Sequence, residues 1–162
     1  MDFTFSLARE DDVPAVFALY RSLFGTPGCT WSDVYPTMEC VRRDIRSRSL
    51  YILKERQGSL VAAAAAGFNE VELTDLPWAL QNPCELARVA VALPLQNQGI
   101  GSYLLHQIIP AVQARGFDGI CMLVSKQHPH ALRLYEKNGF TRCGEVNRYG
   151  FDFYMYQIVF DK

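Results

Sequence analysis

The chain has almost no net charge. Sixteen Lys and Arg face 17 Asp and Glu, for a formal net charge of -1. That balance supplies no field to steer the protein onto nucleic acid or an acidic membrane, and neither is expected as a partner. Long apolar runs are also missing. The most apolar stretch, LVAAAAAGF at 60–68, is far shorter than the ~20 residues that cross a bilayer. The opening MDFTFSLARE has early acids and no apolar segment, unlike a secretory leader. The five cysteines include no C-x-x-C pair, and an odd count argues against a disulfide framework or a zinc site. Reduced thiols in a cytoplasmic protein are the plain expectation. Histidine is scarce, at three. His128 and His130 flank a proline and His106 is remote, so no helix-face zinc pair forms and no metal is expected. Linkers, low-complexity tracts and internal repeats are absent, and one domain over residues 1–162 is expected.

What is present is a regular alternation of elements. FTFSLA (3–8) alternates apolar and polar residues like a half-buried strand. REDDVPAVFALYRSLFG follows as a helix. Acids and Pro14 open it, Val13, Val16, Phe17, Tyr20 and Phe24 form its apolar stripe, and Gly25 stops it. A loop at 25–31 leads to a second helix over 34–48, with Pro36 near its start. Arg42, Arg43, Arg46 and Arg48 read as its solvated face. SLYILKE (49–55), the turn RQG and SLVAAAAAGF (59–68) predict a hairpin, despite the helical propensity of alanine. A looser connection spans 69–83, and 84–93 is a β-branched strand. GIGSYLLHQIIPAVQARGF predicts a helix that Pro110 should kink. A strand at 118–125, a short helix at 129–138 and two closing strands, FTRCGEV and 152–160, complete the chain.

Strand, glycine turn, helix and strand make a βαβ unit, which requires a parallel pair. The turn is Gln96-Asn97-Gln98-Gly99-Ile100-Gly101, followed by Ser102. A helix N-terminus presents unpaired N–H groups and a positive dipole end, and glycines let an anion come close. The turn therefore suits a phosphate. It is not a Walker loop, because no lysine follows Gly101, and it lacks the third glycine of a dinucleotide fingerprint.

Two motifs together resemble the GCN5-related N-acetyltransferase (GNAT) superfamily. Gln96, Gly99 and Gly101 match its Gln/Arg-x-x-Gly-x-Gly/Ala motif for acetyl-CoA. Ala131, Leu134, Tyr135, Gly139 and Phe140 match its AxxLYxxxGF signature. The resemblance runs from residue 3 to residue 160. It implies an α/β (α+β mixed) fold, with a mostly antiparallel sheet of about seven strands, a central parallel pair and about four helices. It implies acetyl-CoA as co-substrate, its pyrophosphate held by Gln96 to Ser102 and its arm paired with the backbone of Val89, Ala90 and Val91. An N–H near Val91 would serve the oxyanion.

By position, Tyr135 matches the proton donor of the superfamily, and Glu85 stands where some members keep a base. Glu85, Ala87 and Val89 would share one strand face toward the acceptor. Leu123 replaces the glutamate of ribosomal-protein N-terminal acetyltransferases, which argues against a base of that type. His128 stands where the superfamily often has an asparagine that touches the cofactor arm and caps the helix. Trp31 and Tyr35, in the loop between the first two helices, would cage the acceptor, with NRYGFDFY as a further wall. The implied reaction is acetyl transfer to the primary amine of a small molecule or a peptide or protein. A non-catalytic acyl-CoA sensor is the alternative. Dimers are common in the superfamily, so a homodimer is possible.

Overall fold

The computed structural model describes residues 2–68 and 73–161. Residues 69–72, the start of the connection expected at 69–83, lie outside the described residues, as do both chain ends. β1 (Phe3–Leu7) is followed by α1 (Val13–Leu23), α2 (Met38–Arg46), β2 (Leu50–Glu55) and β3 (Leu60–Phe68). Then come β4 (Pro83–Val91), α3 (Ile100–Ala114), β5 (Gly119–Ser125), α4 (Pro129–Lys137), β6 (Thr141–Arg148) and β7 (Phe151–Val159). The seven strands form one sheet in the order β1-β2-β3-β4-β5-β7-β6. Only β4 and β5 are parallel; every other neighbouring pair is antiparallel. This is the mixed sheet and the four-helix complement that the resemblance implied.

Two cores cover the two faces. One joins Leu86, Leu104, Leu105, Ile108, Tyr135 and Phe140 beneath α3 and α4. The other joins Val16, Leu19, Tyr20, Val41, Ile52 and Ala90 beneath α1 and α2. The alanine run lies between them. Ala62, Ala64 and Ala66 face the first core and Ala63 the second. Small side chains on both faces let helices approach a central strand closely, so burial overrides alanine's helical propensity.

Local differences from the sequence reading have physical causes. The second helix starts at Met38, not at 34, because Thr37 is extended and caps it, accepting from the Cys40 N–H at 3.0 Å. Phe24 is 45% exposed instead of buried, since α1 ends at Leu23 and Phe24 turns out into extended backbone. Leu19 and Leu23 take its share of the stripe. As expected, the third helix, Ile100 to Ala114, carries Pro110 inside it. Its neighbours Ile108 and Val112 are fully buried, which anchors both sides of the proline.

The largest difference is in β4. Two steps of β3, Ala63 to Ala65, oppose three steps of β4, Ala87 to Ala90. The extra residue is a bulge, and Arg88 sits in it with φ 52°. A left-handed non-glycine costs about 1–2 kcal/mol. The Arg88 guanidinium offsets that cost, donating to Asp44 Oδ2 of α2 from Nε at 3.1 Å and from Nη2 at 2.8 Å. The bulge reverses the alternation of side chains. Leu86 faces the α3 core, yet Ala90, four residues on, faces the α1–α2 core. Val89 therefore packs on the α3 side, opposite Glu85 and Ala87, and the common face expected for these three does not exist.

Arg88→Ala would leave the Asp44 carboxylate buried and unpaired. It is expected to destabilise the fold by about 3–5 kcal/mol, and the Arg88→Ala/Asp44→Ala double variant by clearly less. Urea unfolding of the four proteins checks this. Additive losses would show that the pair does not hold the bulge.

Candidate functional site

The parallel ladder between β4 and β5 is short. It pairs Pro83 with Gly119, Cys84 with Ile120 and Glu85 with Cys121, and then stops. Beyond that point β4 continues to Val91 and β5 to Ser125, so the two strands separate and leave inner edges that do not pair with each other. The backbone of β4 alternates toward this gap. Ala92 N–H donates to Val61 O at 2.9 Å, and Ala90 pairs with Ala63. Polar groups of successive strand residues point to opposite sides, so those of Val89 and Val91 point into the gap. Of the three residues expected to pair with the cofactor arm, Ala90 instead turns its polar groups to β3. The Gln96 side chain folds back, its Nε2 donating to Val91 O at 3.0 Å, which leaves the Val91 N–H facing the gap.

The glycine turn follows directly. Asn97 and Gly99 both take left-handed backbone, at φ 64° and 83°. They turn the chain from the exposed Gln96-Asn97-Gln98 segment into α3. No side chain caps this helix, and its first internal bond runs from Tyr103 N–H to Gly99 O. The N–H groups of Ile100, Gly101 and Ser102 therefore lack helical acceptors and present the positive end of the dipole. Gly101 has a second reason to be glycine: a Cβ there would lie 3.1 Å from Leu134 Cδ2 of α4. Asn138 ties the same two helices together, donating to Ser102 Oγ at 3.0 Å and to Leu134 O at 2.7 Å.

Tyr135 lies beneath α4 on the α3–α4 face, 4% exposed, its ring edge-on to Phe140. Burial pushes its phenol above the ordinary range, so the proton stays on oxygen. His128 caps α4: its Nδ1 accepts from the Ala131 N–H at 3.3 Å. Gly28, at the tip of the α1–α2 loop, packs so closely that a Cβ there would fall 2.7 Å from the His128 ring.

A cleft of ≈ 550 Å³ opens on the opposite face of the sheet. Its floor is β4 from Glu85, the last paired residue of the parallel ladder, to Arg88, with Leu123 of β5 just beyond the ladder. Cleft and gap thus meet at the same place. Trp31 and Tyr35 line one wall, and Tyr149, Phe151 and Phe153 line the other. A two-residue β6–β7 turn, with Tyr149 and Gly150 both left-handed, carries that second wall. Glu85 lines the cleft and Tyr135 does not, so the two expected catalytic residues approach from opposite faces.

Arg88 and Asp44 escaped the sequence reading. Arg88 joins the cleft floor to α2 and to the wall that the α1–α2 loop supplies, since its Nη1 also donates to Tyr35 Oη at 3.0 Å. The signals were there: an arginine inside an apolar strand, and an aspartate three residues after Val41 on the buried face of α2. Among the described residues, no group of His, Cys, Asp and Glu side chains is assembled to hold a metal, and no helix is long and apolar enough to cross a membrane.

The His128 cap makes stability depend on pH. Burial, then the charge of His130, lowers the His128 pKa from the usual 6.5. The unfolded chain then binds a proton that the folded chain refuses, so stability falls as pH drops below ~6.5. Urea midpoints at about pH 7.5 and 5.5 are expected to differ less in His128→Asn, whose cap does not titrate. An equal difference in both proteins would show that His128 titrates normally.

Comparison with known proteins agrees with this fold. Two mouse proteins, N-acetyltransferase family 8 member 3 and member 7, are 23% identical over 141 residues. The alignment covers 82% of this chain and 59% of theirs, so the chain spans little more than half the length of these relatives. The structure of yncA from Salmonella typhimurium with its cofactor acetyl-CoA superposes with a TM-score of 0.81, at 18% identity over 100% of this chain and 96% of that one. The ribosomal-protein-S18-alanine N-acetyltransferase from Escherichia coli gives 0.74, at 22% identity over 97% and 93%. These likenesses establish the fold. The acetyltransferase (GNAT) family pattern itself matches residues 13–140, most of the chain, and the protein therefore belongs to the GNAT acetyltransferase family.

Proposed function

We propose that the chain, as one domain over 1–162, is an N-acetyltransferase that uses acetyl-CoA to acetylate a primary amine of a small molecule or a peptide. The observation that carries this reading is the arrangement of three features. An unpaired gap between β4 and β5 meets an aromatic cleft where the parallel ladder ends, and an uncapped helix N-terminus follows the other end of that gap. They fit acetyl-CoA. The backbone of Gln96, Asn97, Gln98, Gly99, Ile100, Gly101 and Ser102 would hold its pyrophosphate, and the gap-facing groups of Val89 and Val91 its arm. His128, at the start of α4, would border that arm.

Acetyl-CoA supplies the acetyl group as an activated thioester. The protein's own residues do the rest. An alkyl ammonium, with a pKa near ~10.4, must lose a proton before it can act as a nucleophile. Glu85, at the cleft floor, takes that proton. A gap-facing N–H of β4 donates to the carbonyl oxygen as charge develops. Tyr135 holds the proton that a departing thiolate needs, and its burial keeps that proton in place until then. Trp31 and Tyr35 hold the acceptor.

Calorimetry should detect acetyl-CoA binding, and Gly99→Val should weaken it at least about tenfold, because a β-branched residue is strained at φ 83°. No binding at millimolar concentration would sink the reading. Tyr135→Phe should lower kcat by about 10²-fold or more with acetyl-CoA affinity unchanged. Unchanged turnover would remove Tyr135 as the donor. Binding without turnover of any amine would favour a sensor.

A further inference from the structure

A second cavity, of ≈ 630 Å³, opens over β1 and β2, and β3 stands between those strands and β4. Phe3, Phe5 and Leu7 of β1 pack toward the α3 core, so Thr4 and Ser6 face the other way, into the cavity. Its charged lining is Arg9, Asp12, Arg48 and Lys54. The Asp12 carboxylate is already engaged. Its Oδ1 meets Lys54 Nζ at 2.7 Å, and its Oδ2 accepts from the Arg9 N–H at 2.8 Å. Among the described residues, neither the Arg9 nor the Arg48 guanidinium enters an ion pair. Of the acids beside Asp12, Glu10 meets Arg42 at 3.5 Å and Asp11 is not part of the lining. Three cations and one carboxylate thus line the cavity, an excess of two positive charges. Arg48 also breaks a local rule. It follows α2 with φ 56°, the left-handed position that closes a helix and is most often glycine. Glycine would sit there without strain; arginine adds a cation at the cavity.

We infer that this cavity is a binding site for a phosphoryl group, that of inorganic phosphate or of a small phosphate ester. It goes beyond the transferase reading and does not depend on it. A phosphoryl dianion matches the two excess charges, whereas a monocarboxylate would leave one guanidinium unmatched. Guanidinium forks suit phosphate oxygens, and the Thr4 and Ser6 hydroxyls add neutral donors on the floor. Among the described residues no aromatic side chain lines the cavity, so a nucleobase would find no ring to stack on. The ligand class is therefore a compact phosphate and not a nucleotide.

The test is calorimetry at fixed ionic strength with inorganic phosphate, glycerol 3-phosphate and acetate, on the full chain and on Arg9→Gln and Arg48→Gly. The unsubstituted chain should bind at least one of the two phosphates at millimolar concentration, and acetate at least about tenfold more weakly. Each variant should lose at least about tenfold in phosphate affinity, the loss of a charged hydrogen-bonding partner. Arg48→Gly relieves the left-handed strain, so its urea midpoint should not fall, which separates lost binding from lost folding. Tighter binding of glycerol 3-phosphate than of inorganic phosphate identifies an ester as the ligand; the reverse, or equal binding, identifies the free ion. Phosphate bound with undiminished affinity by Arg9→Gln or by Arg48→Gly would put the ion elsewhere, such as at the α3 turn, and overturn the proposal. Acetate bound as tightly as phosphate would overturn it too, as would no binding of either phosphate at about 10 mM.

Discussion

The buried pair between Arg88 and Asp44 governs the architecture around the site. It holds a left-handed arginine in the middle of a strand, where the backbone alone would not stay. The bulge so fixed adds a residue to β4 beside β3 and sharpens its twist. The stretch of β4 that turns in this way is also the stretch that has left β5. Arg88 reaches Tyr35 as well, so the wall of the cleft and the bend in its floor depend on one side chain.

The bulge also sorts the chemistry by face. Before it, Glu85 and Ala87 look into the aromatic cleft. After it, Val89 and Val91 pack toward the core that contains Tyr135, while their backbone groups point into the gap. In the proposed reaction the amine and its base come from one side of the sheet, and the proton donor comes from the other. The thioester would lie in the plane between them. The helix dipole of α3 acts at the far end of the same gap and anchors the phosphates away from the reacting atoms.

Much of this was legible in the sequence because local chemistry decided it. Gly99 is glycine for its left-handed turn, Pro129 opens α4, and Ala131, Leu134 and Tyr135 recur at helical spacing on the face that packs on the core. These signals survive without tertiary information. The aromatic walls were legible too, since Trp31, Tyr35 and the NRYGFDFY hairpin stand out from their polar surroundings. What stayed hidden depends on pairing across the chain. A bulge leaves no mark in a β-branched run, so simple alternation placed Val89 on the face of Glu85. Arg88 and Asp44 are 44 positions apart, and neither announces the other. The role of Gly101 in seating Leu134 was likewise invisible, because a contact between two helices is not a property of either one alone.

The central assignment is that the gap-facing backbone of β4 receives the arm of acetyl-CoA. Site-resolved amide hydrogen exchange, with and without saturating acetyl-CoA, tests it most directly. The N–H groups of Val89 and Val91 face the gap, and that of Ala90 is bonded to β3. Exchange at Val89 and Val91 should slow on binding by an order of magnitude or more, while Ala90 changes little. Equal protection of all three, or none at Val89 and Val91 in a chain that binds acetyl-CoA by calorimetry, would contradict it.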